Sequence, residues 1–126
     1  MLWNLTTPNV PAYEHLGAAY QKIGSLDKAW DVYHKAIVTK ELHSPLLWLG
    51  SAYCFVEAKE YDTALQLFLK VESVAEPGSP EQVSALLGRA AVLRAQGHDE
   101  QAEAVITAAV ASNPNLTELL EAHGGS

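Results

Sequence analysis

The chain of 126 residues has one cysteine, few prolines and no long apolar run. With Cys54 as the single cysteine, no internal disulfide can form, and a reducing compartment such as the cytoplasm is expected. No apolar run approaches the roughly 18 residues of a membrane span, and the first residues lack the pattern of a signal peptide. Six prolines and eight glycines are too few for a disordered chain. We therefore expect one folded domain without a membrane span.

Basic residues are also scarce. Eight Lys and Arg side chains stand against fifteen Asp and Glu, which gives a formal net charge of −7. Nucleic acids and anionic lipids are bound by stripes of basic side chains, and the sequence shows no such stripe. The charge balance therefore argues against both kinds of partner.

The residues that most often carry chemistry are not arranged as a site. The five histidines are scattered, with no pair at helical spacing and no cysteine at ligand spacing: His15, His34, His43, His98 and His123. Cys54 lies between Tyr53 and Phe55, which is typical of a small buried apolar residue. No glycine-rich phosphate loop is present. The sequence predicts no catalytic residue, no metal site and no cofactor.

A five-position pattern recurs three times along the chain. A small residue is followed by a large apolar residue, an alanine, a second large apolar residue, and finally Ala or Val. The copies are Gly17, Tyr20, Ala29, Tyr33, Ala36; then Ala52, Phe55, Ala64, Phe68, Val71; then Ala90, Leu93, Ala102, Ile106, Ala109. The internal spacings agree in all three copies. Such self-similarity indicates a repeat architecture.

Start and stop signals predict a pair of helices in each copy. Ser44 and Ser79 each precede a proline, the pattern of an N-cap followed by the first helical residue, and Gln82 completes a capping box. Gly24 and Gly97 mark helix ends that need a left-handed residue. We predict helices over 11–23, 27–39, 45–57, 61–74, 80–95 and 99–112, with a short last helix over 116–122.

The small residues of the pattern have a packing role. Gly17 and Ala29 are expected where the two helices of a pair approach closely, with Tyr20 and Tyr33 filling the space on either side. A bulky residue at Gly17 would cost about 1–3 kcal/mol through overpacking.

This pattern resembles the tetratricopeptide repeat, a helix-turn-helix unit of 34 residues. Further matching residues are Tyr13, Leu16 and Gly24 in the first copy, Trp48 and Tyr61 in the second, and Leu86, Gly97 and Pro114 in the third. The resemblance implies an all-α, right-handed superhelical solenoid of three helical hairpins plus a C-terminal capping helix. Two departures stand out. Lys59 replaces a hinge glycine, and Arg89 falls on a position that is usually buried.

The resemblance also implies a division of the chain. An extension over 1–9 precedes the first repeat over 10–44. The second repeat, with an extended turn, covers 45–82 and the third covers 83–116. The capping helix and tail follow over 117–126.

In proteins of this kind the first helices line a concave groove that binds ligands. The resemblance places in that groove the residues Pro11, Glu14, Ala18, Gln21, Lys22, Leu46, Leu49, Tyr53, Val56, Glu57, Ser84, Leu87, Ala91, Arg94 and Ala95. The candidate peptide-binding residues among them are Glu14, Leu46, Leu49, Tyr53, Val56, Leu87, Ala91 and Arg94. Truncation of Tyr53 or Leu49 to Ala is expected to weaken a partner by about 1–3 kcal/mol and to spare the fold.

The expected function is non-catalytic binding of a peptide or helix with apolar anchors. Recognition of a chaperone's C-terminal carboxylate is excluded, because that mode requires Lys, Arg and Asn side chains at set positions. The residues at the matching positions of this chain are Glu14, Ala18, Gly50, Ser84 and Gly88. The segments over 41–52 and 60–64 are similar to type III secretion chaperones that hold hydrophobic translocator subunits. The alternative is a self-associating scaffold or assembly adaptor, with the apolar residues packed internally or against a second copy in a homodimer.

Overall fold

The computed structural model describes residues 10–113, and the regular structure in this range is entirely helical. The helices are α1 (Val10–Lys22), α2 (Leu26–His34), α3 (Pro45–Glu57), α4 (Tyr61–Val74), α5 (Pro80–Ala95) and α6 (Asp99–Ser112). Both ends of five of these helices lie within one residue of the prediction. The predicted last helix over 116–122 lies outside the described residues.

The second helix differs from its prediction. The segment over 27–39 is α-helical only to His34, and Lys35–Thr39 form a π-helical turn. After this turn the Leu42 N–H donates to the Ala36 carbonyl at 2.9 Å, and both side chains are buried. Since a π-helical turn inserts an extra residue into the α-helical register, it changes which side chains face the core. No residue type in the segment marks this change.

Three turns that join paired helices have the same geometry. Gly24 and Gly97 lie at φ values of 81° and 85°, as their glycines predict, and Lys59 lies at 62°. In each turn the N–H of the following residue donates to a carbonyl five positions earlier at 2.8 Å. This bond caps the preceding helix. The left-handed turn therefore forms at Lys59 without glycine, at a cost of roughly 1–2 kcal/mol.

Serine caps begin α3 and α5, as predicted. The Ser44 hydroxyl accepts the Leu47 N–H at 3.4 Å, and the Ser79 hydroxyl accepts the Gln82 N–H at 3.2 Å. The predicted capping box differs in one contact, because Gln82 Oε1 accepts the N–H of Gly78 at 2.6 Å rather than that of the cap residue. The side chain thereby closes the extended turn before α5.

Packing between helices follows the order of the chain. Each helix contacts the next, and the further contacts join α1 to α3 and α3 to α5. The odd-numbered helices therefore form a layer in which α3 is central. Among the described helices, none has the length and apolarity that crossing a bilayer requires.

Three positions of the repeated pattern are buried in every copy: the small first residue, the alanine and the last residue. The central alanines, Ala29, Ala64 and Ala102, are fully shielded from solvent. The second-helix aromatics Tyr33 and Phe68 are at most 2% exposed. Because an alanine at this place leaves no side chain beyond Cβ, the neighbouring large residues fill the space around it.

The Tyr33 ring lies between two glycines on different helices. A Cβ atom added to Gly17 of α1 or to Gly50 of α3 would lie less than 3.0 Å from this ring. Phe68 of α4 packs in the same way on Gly88 of α5, 2.5 Å from an added Cβ. Gly17 is thus small because the Tyr33 ring takes the place of a side chain, which refines the predicted close approach of two helices.

Arg89 occupies a position that the repeat pattern predicts to be buried. Its side chain remains 25% exposed, and its Nε and Nη2 donate to the two carboxylate oxygens of Glu72 at 2.7 and 2.9 Å. A two-pronged bond of this kind satisfies the guanidinium group at a half-buried place. The charge is accommodated because α4 supplies its partner.

The left-handed residue at Lys59 yields a direct prediction. Lys59→Gly should raise the free energy of unfolding by about 1 kcal/mol, because glycine adopts a positive φ without steric cost. Urea denaturation of both proteins measures the change. Ala58→Gly is the matched control, since Ala58 lies at φ −81° and gains nothing from glycine. An equal change in the two variants would contradict the assignment of strain to Lys59.

Candidate functional site

An open groove of about 550 Å³ lies between α1 and α3. Its lining residues define the α1–α3 groove: Ala18, Gln21, Lys22, Gly24, Leu26, Tyr53 and Glu57. Five of them are among the residues that the repeat resemblance places in a groove. A volume in this range is typical of sites that accommodate a ligand or a few side chains of a partner.

Tyr53 is the aromatic residue of the α1–α3 groove. Its side chain is 39% exposed, and its ring meets the buried Phe68 ring edge to face, with 5.5 Å between centroids and 69° between planes. Aromatic pairs favour this arrangement. Tyr53 therefore presents a supported ring to the groove, although the side chain is on the surface.

The Gln21 side chain joins three helices at the edge of this groove. Its Nε2 donates to the Gly50 carbonyl at 2.9 Å and to Cys54 Sγ at 3.6 Å, and its Oε1 accepts the Tyr33 hydroxyl at 2.8 Å. These bonds connect α1 with α2 and α3. The relative position of the groove walls is therefore set by hydrogen bonds as well as by apolar packing.

Glu14 is engaged within the fold. Its Oε2 accepts a hydrogen bond from the Ser44 hydroxyl, and the same hydroxyl caps α3 through the Leu47 N–H. Ser44 is buried. The contact joins α1 to the first turn of α3. This bond uses one oxygen of the half-buried Glu14 carboxylate, and the role of Glu14 in binding a partner stays a prediction.

Leu49 was predicted to face a partner, and this is wrong. Its side chain is 5% exposed and packs in a cluster with Trp48, Ala52 and Phe68. The reason is the central place of α3, which contacts four other helices and therefore buries a wider arc than a helix with two neighbours. Truncation of Leu49 to Ala should cost about 2–5 kcal/mol of stability, so the expectation that it spares the fold is also wrong.

The other candidate residues lie at different depths. Leu46 is 48% exposed, Ala91 is exposed, and Val56 and Leu87 are half-buried. Arg94 is exposed, and its Nη2 donates to Glu103 at 2.7 Å. Among the eight candidates, Tyr53 is the one that lines the α1–α3 groove in the described part of the chain.

A second groove was missed by the reasoning from sequence. It measures about 350 Å³, and its lining residues define the α2–α4 groove: Trp30, His34, Ile37, Val38, Ser51, Phe55, Thr63, Gln66, Leu67 and Lys70. The Trp30 and His34 rings stack at 4.4 Å with 16° between their planes. The sequence signal that could have indicated this groove is Trp30 four residues before His34, since residues at this spacing lie on one helix face.

Two titratable side chains beside the α1–α3 groove, those of Tyr33 and Cys54, have raised pKa values. Burial raises the pKa of Tyr33 to about 12, with Cys54 and Glu14 adding to the effect. Burial also raises the pKa of the Cys54 thiol above its usual value, so the thiolate that nucleophilic chemistry needs is disfavoured. Within residues 10–113, no group of three His, Cys, Asp or Glu side chains is placed to hold a metal ion.

The raised pKa of Tyr33 predicts a loss of stability in alkali. The pKa of Tyr33 in the folded state lies above the usual value of 10.0. The contribution of the neutral Tyr33 side chain to the free energy of unfolding is therefore complete below pH 10 and is lost as the pH rises toward 12. Tyr33→Phe should be less stable than the natural protein at pH 8 by about 1 kcal/mol, since the bond to Gln21 is lost. The difference should shrink above pH 10. Urea denaturation at both pH values tests this, and parallel stability curves for the two proteins would contradict it.

No protein-family model matches the chain, and no curated protein is significantly similar to it in sequence. The likeness to tetratricopeptide repeats therefore rests on the recurring residues and on the three equivalent turns at Gly24, Lys59 and Gly97.

Proposed function

We propose that this protein is a tetratricopeptide-type helical repeat whose function is to bind another polypeptide. Three features support the architecture: matched turns, matched buried alanines, and contacts of α3 with both α1 and α5. In a stacked array of helical pairs, the first helices line one side, and that side is the usual binding surface. The solenoid is the simplest arrangement with these contacts.

The observation that carries the binding proposal is Tyr53 in the α1–α3 groove. Large exposed aromatic side chains in a concave, half-polar setting are the residues that most often dominate protein–protein affinity. The edge contact with Phe68 limits the motion of the ring. Ordering this side chain on binding therefore costs less entropy than ordering a free surface tyrosine.

The lining of the groove indicates the chemistry of the partner. Ala18 and Gly24 leave space beside the Tyr53 ring, and Lys22 and Glu57 add one charge of each sign. An apolar or aromatic anchor would fit in that space, flanked by polar side chains of the partner. A segment of peptide or an amphipathic helix can supply this combination.

A non-catalytic role is favoured by the groups at this groove. Tyr33 and Cys54 are the titratable residues with shifted pKa values, and both shifts favour the neutral form. Both side chains are also buried and bonded to Gln21. They stabilise the groove wall and are poorly placed to react with a bound molecule.

A secretion chaperone is the narrower form of this proposal. It rests on the likeness of the segments over 41–52 and 60–64 to type III secretion chaperones. The alternative is a self-associating scaffold. It is favoured by exposed apolar residues outside the α1–α3 groove, among them Leu69 and Val74 of α4 at 50% and 55% exposure. Such residues can mark contacts between copies of a protein.

Peptide selection with a matched pair of variants tests the binding proposal. Random peptides displayed on phage are selected on the immobilised natural protein, and synthetic versions are measured by fluorescence anisotropy. Tyr53→Ala should weaken the selected peptides by about 1–3 kcal/mol, or roughly 5- to 150-fold in Kd. Tyr53→Phe should retain most of the affinity, because the ring is the anchor.

Leu69→Ala is the control, since Leu69 is exposed but lies on α4 outside the α1–α3 groove. Its Kd values should equal those of the natural protein. Peptides that bind Tyr53→Ala with unchanged affinity would contradict the proposal. A loss confined to Leu69→Ala would place the peptide-binding surface on α4 and would also contradict the proposal.

A further inference from the structure

The α2–α4 groove lies on the other side of α3 from the α1–α3 groove. Ser51 and Phe55 of α3 line the α2–α4 groove, whereas Tyr53 lines the α1–α3 groove. Since an α-helix has 3.6 residues per turn, side chains two positions apart point in roughly opposite directions. The two grooves are therefore separate surfaces, and a segment that fills one does not occupy the other.

The α2 side of this groove presents apolar side chains. Trp30 is 37% exposed and Val38 is 59% exposed, and Ile37 is half-buried. The Trp30 ring and the His34 ring are stacked and together form one flat surface. Ile37 and Val38 belong to the π-helical turn Lys35–Thr39, and turns of this kind are frequent at functional sites. A concave surface of rings and aliphatic groups suits an aromatic side chain of a partner.

The chargeable side chains that line the α2–α4 groove are all basic. They are Lys70 of α4 and His34 of α2, and no Asp or Glu of the described residues lines the groove. The α1–α3 groove differs, because it contains both Lys22 and Glu57. Over the whole chain the acidic side chains outnumber Lys and Arg by fifteen to eight. A groove without carboxylates in such a chain is complementary to a negatively charged partner.

The Lys70 ammonium group is held in place by an aromatic ring. Its Nζ lies 4.4 Å from the centroid of the Trp48 ring, and Trp48 is 5% exposed. This cation–π contact restricts the lysine before a ligand arrives, which lowers the cost of binding. Trp48, Ser51 and Phe55 follow one another at spacings of three and four residues and share one face of α3. The ring that holds Lys70 is therefore on the α3 face that lines the groove.

The net charge of the chain opposes an acidic partner only weakly. The formal charge is −7, but exposed charges more than about 8 Å apart are largely screened at physiological ionic strength. The groups closest to the groove therefore decide the sign of the interaction. Asp31 and Asp62 are neighbours of lining residues in the sequence, and neither of them lines the groove.

A row of polar side chains on α4 favours a polypeptide over a small anion. Thr63, Gln66 and Lys70 line the groove at spacings of three and four residues, so they share one face of the helix. All three are exposed. Thr63 and Gln66 can both donate and accept hydrogen bonds, as the peptide groups of a bound segment require. The row is roughly 10 Å long, which is the length of about three extended residues.

We propose that the α2–α4 groove is a second binding site, which takes a polypeptide segment with an aromatic side chain next to an Asp or Glu. The aromatic side chain packs on the Trp30 ring, and the carboxylate pairs with Lys70. This site goes beyond the binding function proposed for the α1–α3 groove and does not depend on it. The protein can then hold two segments at once, on opposite sides of α3.

Three pools of synthetic heptapeptides test the site on the natural protein by fluorescence anisotropy. The first pool has a central tryptophan or phenylalanine, with Asp, Glu, Gly or Ser at the other positions. Lys and Arg replace the acidic residues in the second pool, and alanine replaces the aromatic residue in the third. The first pool should bind at least about tenfold more tightly than either of the others. Equal or tighter binding of the basic pool would overturn the proposal.

A charge-matched pair of variants locates the attraction. Lys70→Ala should weaken binding of the acidic pool by roughly 3- to 10-fold, and Trp30→Ala by roughly 5- to 30-fold. Lys28→Ala is the control, because it removes the same charge from α2. Lys28 Nζ lies over the Tyr20 ring of α1, and Lys28 does not line the groove. Its Kd should be unchanged. Equal losses in Lys70→Ala and Lys28→Ala would trace the binding to net charge and overturn the proposal.

Amide chemical shifts give a readout that needs no variant. The tightest peptide of the acidic pool should shift the amide signals of Ser51 and Gln66 and leave those of Ala18 and Gly24 in the α1–α3 groove in place. Shifts confined to the α1–α3 groove would overturn this proposal and leave the binding function proposed for that groove standing. Shifts at Ser51 and Gln66 support the second site whatever the outcome of Tyr53→Ala.

Discussion

The packing of an aromatic ring against glycine is the interaction on which the rest of this structure depends. Tyr33 fills the side-chain space of Gly17 within its own helix pair and of Gly50 in the next, and Phe68 does the same at Gly88. Each ring thus joins one helical pair to the first helix of the following pair. Because a ring in contact with a glycine leaves no room for a Cβ, the arrangement tolerates little variation in spacing.

The groove is a consequence of the same contacts. The hydroxyl of Tyr33 holds Gln21, and Gln21 in turn holds the Gly50 carbonyl on the facing helix. On the other side, Phe68 supports the Tyr53 ring that we propose as the anchor for a partner. The surface is therefore built before a ligand arrives, which lowers the cost of binding. This support of the Tyr53 ring is consistent with the proposed role in binding a polypeptide.

Local signals in the sequence predicted the helices and turns well. A serine before a proline acts on a helix start, and a glycine acts on a helix end. Both signals act within a few residues, so they can be recognised from the sequence alone. The prediction that Leu49 faces a partner was wrong because the burial of this residue depends on how many helices surround α3, which is a property of the assembled fold. The π-helical turn over Lys35–Thr39 has no residue signature. The role of Gly88 has no local signal either, because it depends on Phe68, which packs on this glycine from another helix.

The most direct measurement of the central claim is a stability cycle between Gly50 and Tyr33, by urea denaturation. In the natural background Gly50→Ala should cost about 1–3 kcal/mol, because the new Cβ meets the Tyr33 ring. In a Tyr33→Leu background the same change should cost nothing, or stabilise the protein by up to about 1 kcal/mol, since alanine favours a helix over glycine. An equal cost of Gly50→Ala in both backgrounds would show that the ring does not set the spacing of the helices.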